Sequence, residues 1–471
     1  MSAEQVLDPE RLGRIHLVGM GGAGMSAVAK LLLARGAAVS GSDRQDSPAL
    51  RELAALGATV HVGQRAENVA GADTVVVSTA IAADNPEYAA ARAAGTRVLH
   101  RSDGLAAAMQ GRDVVAVAGT HGKTTTSSMA AVALRAAGLE PSWAIGAHVA
   151  DLGSNAALGA GRWFVAEADE SDGSFLRYGP RIAVVTNIEP DHLDFYGSAE
   201  AFHRAFDDFA ATLAPGGLLV ACADDAGSRA LAERHRAAGG RVVTYGTDPG
   251  ADVRVLPGTA EGLATRSTLV LGTGPERRQL PLELGVPGRH NVLNAAAALC
   301  AAVEAGAPPE DAARGLAGFT GSARRFDLRG EAGGVRVVDD YAHHPTEVVA
   351  ALTAAREVAG DHRVLVVFQP HLFSRTREFA AEFAAALALA DEAFVLDVFA
   401  AREQPVPGLT SEVITSRAPG HVHYVPGADE AVARAAAAAR PGDLVLTVGA
   451  GDVTALGPRL VELLAVRAQE R

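Results

Sequence analysis

The chain is short of the residues that would tie it to several protein classes. Its 471 residues include two cysteines, Cys222 and Cys300, without C-x-x-C spacing. That argues against a disulfide framework and a thiolate zinc site, and the two thiols read as buried fillers. No apolar run approaches the roughly 18 residues of a membrane-spanning helix. The start, MSAEQVLDPERLGR, lacks the basic-then-apolar order of a secretory signal. A cytoplasmic protein without membrane insertion is the expectation. Positive charge is in deficit as well: 42 Lys and Arg face 55 Asp and Glu, a formal net charge of -13. Such a balance argues against coating nucleic acid, while leaving room for a local basic pocket. Among the cations lysine is almost missing, since Lys30 and Lys123 are the only two.

What is present is ordinary globular material, 48% apolar and 21% charged, in a chain longer than one core usually serves, so two or three domains are expected. From Arg14 a βαβ alternation runs through RIHLVGM, AAVSGSD, TVHVG, DTVVVS and RVLHR and closes near Ala107. A second α/β series opens at Asp113 with DVVAVA and continues through RWFVAEADE, RIAVVTNI, GGLLVACADD and RVVTYGT. Residues 251–287 change to short strands with polar turns, read as antiparallel. After Thr320 a third mostly parallel alternation follows: VRVVDDY, RVLVVFQPH, EAFVLDVF, HVHYVP and DLVLTVGAG.

GMGGAG, Gly19 to Gly24, satisfies G-x-G-x-x-G between a strand and a helix, and Asp43 closes the next strand at roughly the 20-residue offset of a ribose-binding acid. Its glycines allow a backbone to approach phosphates at a helix N-terminus. Taken alone the loop suits NAD first and another nucleotide diphosphate second. A plain glycine turn capped by Asp43 fits the same residues. The second loop, GTHGKTTT from Gly119 to Thr126, departs from G-x-x-x-x-G-K-[ST], which needs glycine where Val117 stands. It keeps Gly119 and Gly122 for close approach, Lys123 for charge and Thr124 for a magnesium ligand. A compact ammonium fits between β- and γ-phosphates where a planar guanidinium does not.

Further down, Glu167 ends the strand RWFVAE, and Asn187, Asp191 and His192 follow RIAVVTNI. A histidine alone is more often hydrogen-bonded than a ligand. Three strand ends carrying Lys123-Thr124, Glu167 and His192 together describe magnesium-ATP held for phosphoryl transfer. Asn291 and Asn294 stand three apart on one helical face, suited to an adenine edge or to capping the helix. Arg324 and Arg325 in GSARRFD are solvated charges or phosphate ligands on closure. Asp340, Tyr341, His343, His371 and Arg375 crowd two loops after apolar strands, where an active site or an ordinary surface turn would lie.

HLVGMGGAGMS, GTHGKTTT, EADESDGSF, TNIEPDHLDFYGS, PGRHNVLNA, RRFD, DDYAHHPTEV and FQPHLFSRT occur in that order. With these motifs the chain resembles the Mur ligase family over nearly its whole length. The resemblance implies an α/β protein of three domains: an N-terminal Rossmann-like one (1–107) for a UDP-sugar, a central P-loop-type ATPase (108–320) with a mostly parallel sheet and a small antiparallel part, and a C-terminal Rossmann-like one (321–471) that closes and binds the amino acid. It replaces NAD by the diphosphate of UDP-N-acetylmuramate. It also implies that L-alanine is joined to the lactyl carboxylate through an acyl phosphate, with release of ADP and phosphate, in peptidoglycan precursor synthesis. Carried over by position, Gly19, Gly21, Gly22, Gly24, Met25, Ser26, Asp43 and Ser78 would hold the UDP-sugar. ATP would meet Gly119, Thr120, His121, Gly122, Lys123, Thr124, Thr125, Asn291, Asn294, Arg325 and Asp340, with Mg2+ on Thr124, Glu167 and His192. Tyr341, His343, His371 and Arg375 would line the amino-acid pocket, and Lys123, His192, Arg325, His371 and Arg375 would act in the chemistry. Two positions depart from relatives. No lysine occurs between Asn187 and Pro215, where later ligases of the pathway carry a carbamylated one and Asp207 stands here, which favours the alanine-adding branch; and Leu372 replaces an arginine of some alanine-adding relatives. Monomer and weak homodimer both remain open from the sequence.

Overall fold

The structure is a computed structural model and describes residues 9–272, 277–401 and 403–469. The first eight residues, on which the reading of the N-terminus partly rested, lie outside them. The chain folds as two compact units, one of 1–257, 268–282 and 293–319, the other of 258–267, 283–292 and 320–471.

The first unit holds two sheets. β1 (Ile15–Val18), β2 (Val39–Asp43), β3 (Thr59–Val62), β4 (Thr74–Val77) and β5 (Arg97–His100) are all parallel in the order β3-β2-β1-β4-β5. The order reverses beside β1, and such a switch point opens a crevice at the strand ends. The glycine loop leaves the end of β1 there.

The central sheet is built on β6 (Asp113–Ala118), β7 (Ser142–Val149), β8 (Ser154–Ala157), β9 (Trp163–Glu167), β10 (Ile182–Val185), β11 (Leu218–Cys222), β12 (Arg241–Gly246) and β13 (Val253–Val255). Its order is β13-β12-β11-β10-β6-β9-β7-β8, parallel except for β8 on β7. The sequence reading passed over β7 and β8. It also took β13 as antiparallel, whereas β13 pairs parallel with β12 and turns antiparallel only towards the next hairpin. β6 reads DVVAVA without alternation because it has parallel neighbours on both edges and both of its faces are covered, and five of its six residues are buried.

The two sheets of the first unit share one apolar core. One apolar cluster runs from Leu12, Leu31 and Leu105 of the first sheet's layer into Phe164, Phe206 and Leu219 of the second. Lys30, on the helix Ala23–Ala34, reinforces the join: its ammonium donates to Asn155 Oδ1 at 3.0 Å and Ser154 Oγ at 3.3 Å, and pairs with Glu52 at 2.8 Å.

The second unit carries β14 (Thr259–Glu261) paired antiparallel with the start of β15 (Ala264–Leu271), and β16 (Arg278–Leu284) follows in the chain. Its main sheet is β17 (Asp327–Ala332), β18 (Val335–Asp340), β19 (Val364–Phe368), β20 (Glu392–Val395), β21 (Val422–Tyr424) and β22 (Leu444–Val448), in the order β17-β18-β22-β19-β20-β21. All pairs are parallel except β17 on β18. Apolar clusters cover both faces. Both cysteines are buried and free. Among the described residues no helix is long and apolar enough to cross a membrane.

Candidate active site

Strands β10, β6 and β9 are neighbours in register, Val185 beside Ala118 and Val117 beside Glu167. Their carboxyl ends therefore deliver the 119–125 loop, the 167–170 segment and the 186–192 segment to one place. Gly119 has φ +130, and a Cβ on it would stand 2.1 Å from Thr186 Oγ1; Gly122 has φ +83, with Asn294 Oδ1 2.7 Å from such a Cβ. Both positions need glycine for conformation and for space. The loop is anchored on its floor. His121 N donates to Asn187 Oδ1 at 2.8 Å, Thr186 Oγ1 to His121 O at 2.6 Å, and Thr120 Oγ1 to Glu189 O at 2.8 Å.

Lys123 opens the helix Lys123–Ala136 and folds back over the loop. Its ammonium donates to Gly119 O at 2.6 Å, Thr120 O at 3.0 Å and Glu170 Oε1 at 2.9 Å. Burial acts to lower the lysine's pKa, but Glu170 and Asp169 outweigh it, and the net direction is up. Glu170 is pushed up to about 7, first by burial and then by Asp169, against the pull of Lys123. The pair's proton rests on Lys123. Thr124 Oγ1 donates to Glu167 Oε1 at 2.9 Å, and Gly146 N to Glu167 Oε2 at 2.7 Å. A hydroxyl beside a carboxylate, with Glu170 behind, is an all-oxygen donor set, which suits a hard divalent cation such as magnesium. His192 Nε2 lies 3.8 Å from Glu170 Oε1 and 3.7 Å from Asp191 Oδ2, on a residue with φ +53. Thr125 is buried in the same helix turn, and Asn294 lies against the loop.

At the first glycine loop Gly19 has φ +76, and Asp43 Oδ2 accepts from Gly21 N at 2.9 Å, so this acid caps the turn. Met25 is in the core, Ser26 Oγ donates to Ala23 O, and Ser78 is half-buried just past β4.

The second unit gathers the other candidates. Tyr341 lies between two guanidinium groups, Arg324 at 4.8 Å and Arg325 at 5.0 Å from its ring centroid. Arg324 is fixed by Asp339 at 3.2 Å and by Gly449 O at 2.6 Å. Tyr341, His343 and His371 follow at centroid spacings of 5.2 and 5.8 Å, His371 stacks on Phe399, and Arg375 is buried. Burial pushes His343 down to about 3, against the pull of Glu347, so this imidazole is neutral. Asp340 is pushed up to about 6 by burial, against Arg325 and two backbone donors. Its oxygens accept from Phe326 N and Ala342 N, both at 2.8 Å, which clamps the turn carrying Arg325. Asn291 Nδ2 donates to Pro287 O at 2.7 Å.

Glu170 escaped the sequence reading. EADESD offers four acids, and only Glu167 was marked by a strand end; the turn back to Lys123 leaves no periodic signal. The same holds for Asp169.

Three family models match in chain order: the Mur ligase catalytic domain at residues 14–113, the Mur ligase middle domain at 117–302, and the Mur ligase glutamate ligase domain at 324–451. The chain belongs to the Mur ligase family. It is 59% identical over 459 residues to a UDP-N-acetylmuramate--L-alanine ligase of Renibacterium salmoninarum, covering 98% of this chain and 97% of that one. A protein of the same name from Thermobifida fusca is 53% identical over 469 residues, covering 97% and 98%. Among solved structures, the UDP-N-acetylmuramate-alanine ligase of Thermotoga maritima matches with a TM-score of 0.80 at 30% identity, covering 97% of this chain and 99% of that one. A murein peptide ligase of Psychrobacter arcticus gives 0.71 at 26%, covering 96% and 99%.

Proposed function

We propose that this chain joins L-alanine to the lactyl carboxylate of UDP-N-acetylmuramate at the expense of ATP, in peptidoglycan precursor synthesis. The carrying observation is the convergence of Lys123, Thr124, Glu167 and Glu170 at two adjacent strand ends, in a chain 59% identical to a ligase of that name. We take 1–107, 108–320 and 321–471 as the sugar-nucleotide, ATP and amino-acid segments, working in the cytoplasm.

A carboxylate is a poor acylating agent, so the γ-phosphoryl group is first moved onto a lactyl oxygen, with ADP leaving. The alanine amine then attacks the carbonyl carbon, and the tetrahedral intermediate collapses with loss of phosphate. Phosphoryl transfer draws its rate from position and charge neutralisation. Lys123, released from Gly119 O, Thr120 O and Glu170, supplies the ammonium between β- and γ-phosphates. Backbone donors of 119–125 cradle the same oxygens. Magnesium, when bound, would neutralise phosphate charge, with Thr124 and Glu167 as its holders and His192 at the substrate carboxylate. Asn294 and Asn291 serve the adenine edge. Arg325, presented by the turn that Asp340 clamps, serves the phosphates. In the amino-acid pocket Arg375 grips the alanine carboxylate, and a neutral His343 beside Tyr341 and His371 leaves the incoming amine unopposed by a further positive charge.

Phosphate release from ATP and magnesium, with UDP-N-acetylmuramate and with or without L-alanine, tests this. Release requiring both, with a product heavier by one alanyl residue, is expected. Release with a tripeptide and none with alanine would reassign the acceptor.

A further inference from the structure

Phe399 grips the chain on both sides of His371. Its N–H donates to Pro370 O at 2.8 Å, and its carbonyl accepts from Leu372 N at 2.9 Å. The two residues thus face each other in an isolated parallel bridge, apart from the strands of the sheet. The Phe399 ring then lies along the imidazole, with 5.9 Å between centroids and 16° between planes. Leu372, the next residue, is buried with φ +72, a conformation that L side chains rarely adopt. Its bond to Phe399 O is among the contacts that hold it there, and backbone strain of this kind gathers where a neighbouring side chain must be aimed.

Phe399 has no room to retreat. A Cβ on Gly451 would stand 2.7 Å from Phe399 Cγ, so the ring rests on the backbone of the turn after β22. Gly451 has φ -81, which any residue adopts, and so the position needs glycine for space alone. Arg324 fixes that turn, donating to Gly449 O at 2.6 Å, Gly451 O at 3.2 Å and Ala450 O at 3.3 Å. The contacts close on themselves. Arg324 lies over Tyr341, Tyr341 meets His343, His343 meets His371, His371 stacks on Phe399, Phe399 rests on Gly451, and Gly451 O returns to Arg324. In a closed chain of packed groups no member shifts without displacing its neighbours.

We propose that Phe399 is the positioning residue for His371, holding the imidazole at the angle at which it meets L-alanine, which rests on reading Tyr341, His343, His371 and Arg375 as the amino-acid pocket. Phe399 itself touches no substrate. It acts through the backbone bridge, which any side chain would keep, and through the ring, which only an aromatic one supplies.

Steady-state phosphate release by the full chain, with KM measured in turn for L-alanine, ATP and UDP-N-acetylmuramate, tests it on the parent, Phe399→Leu and Phe399→Tyr. Leucine keeps the bridge but loses the stacked ring, so KM for L-alanine should rise about ten-fold while the other two stay within about two-fold. Tyrosine keeps the ring and should restore most of the loss. A KM for L-alanine in Phe399→Leu equal to the parent's would overturn the inference. So would three KM values rising together, a leucine chain that no longer folds, or a tyrosine variant as impaired as the leucine one, since each marks a general packing role. A parent that releases no phosphate with L-alanine would sink the proposed function itself, and this assignment with it.

Discussion

Lys123 and Glu170 form an ion pair at 2.8 Å in which the carboxylate is 1% exposed. The lysine that should meet phosphate is thus stored on a buried acid and two loop carbonyls. Lys123→Ala should cut phosphate release by about a hundred- to a thousand-fold while sugar-nucleotide affinity changes less than about two-fold. It should also destabilise the first unit by about 3–5 kcal/mol, because it strands a buried charge. Thermal unfolding of Lys123→Met/Glu170→Gln separates the two effects. Stability should return in the double variant and turnover should not.

Gly119 of the 119–126 loop and Gly111, in the turn before β6, make a graded prediction. Gly119→Ala meets Thr186 Oγ1, Asn187 O and a φ of +130, whereas Gly111→Ala meets only a φ of +78 with nothing within 4 Å. Gly111→Ala should cost about 1 kcal/mol and Gly119→Ala about 2–3 kcal/mol. Urea unfolding of the two variants checks the order, and equal costs would refute the steric part.

Glu87 is fully buried and accepts from Ser42 Oγ at 2.5 Å and Asn68 Nδ2 at 2.6 Å, with His16 Nε2 3.5 Å away. Burial raises its pKa, but the nearby His16 and the bonds from Ser42 and Asn68 lower it more, so the carboxyl titrates below its ordinary 4.5. A depressed acid contributes stability that is complete above the unfolded value and disappears as pH falls through the folded one. Glu87→Gln should therefore cost about 2–4 kcal/mol at neutral pH, and the gap should close below pH 4.5. Denaturant titrations of both proteins between neutral pH and about pH 3 measure it; a gap that widened in acid would contradict the sign.

Tyr341 offers a ring to both Arg324 and Arg325. Arg324 is tied elsewhere, so the ring chiefly holds Arg325. Tyr341→Phe keeps the π face and should leave kcat within about two-fold, while Tyr341→Leu removes about 0.5–2 kcal/mol of cation–π attraction and should lower kcat several-fold. Steady-state kinetics at saturating ATP distinguishes them.

Much of this was legible in the chain. β6 and its loop stood out because a strand buried on both faces must be apolar throughout and a phosphate loop must then bend on glycine. Lys123 and Thr124 were marked by the glycine loop GTHGKTTT, and Glu167 by the end of its strand. β7 was missed because SWAIGAHV has neither alternation nor turn signals, and β17 because DLRGEA is a mostly exposed edge strand with nothing to mark it as one. Glu170, and the clamp that Asp340 makes on the turn of Arg325, went unread for a different reason. Their partners are backbone and side-chain groups brought near by tertiary folding, and residue spacing along one strand carries no trace of them.

The scarcity of lysine has a practical outcome. Lys30 lies inside one helix that follows a glycine loop, and Lys123 begins the other. A lysine-specific protease therefore has two cutting sites, and each reports on its own loop. Cleavage after residue 30 requires the helix Ala23–Ala34 to open and release Asn155, and cleavage after residue 123 requires the ammonium to leave Glu170. The two fragment patterns would read the local opening of each glycine loop separately, within a single digestion of the unlabelled protein.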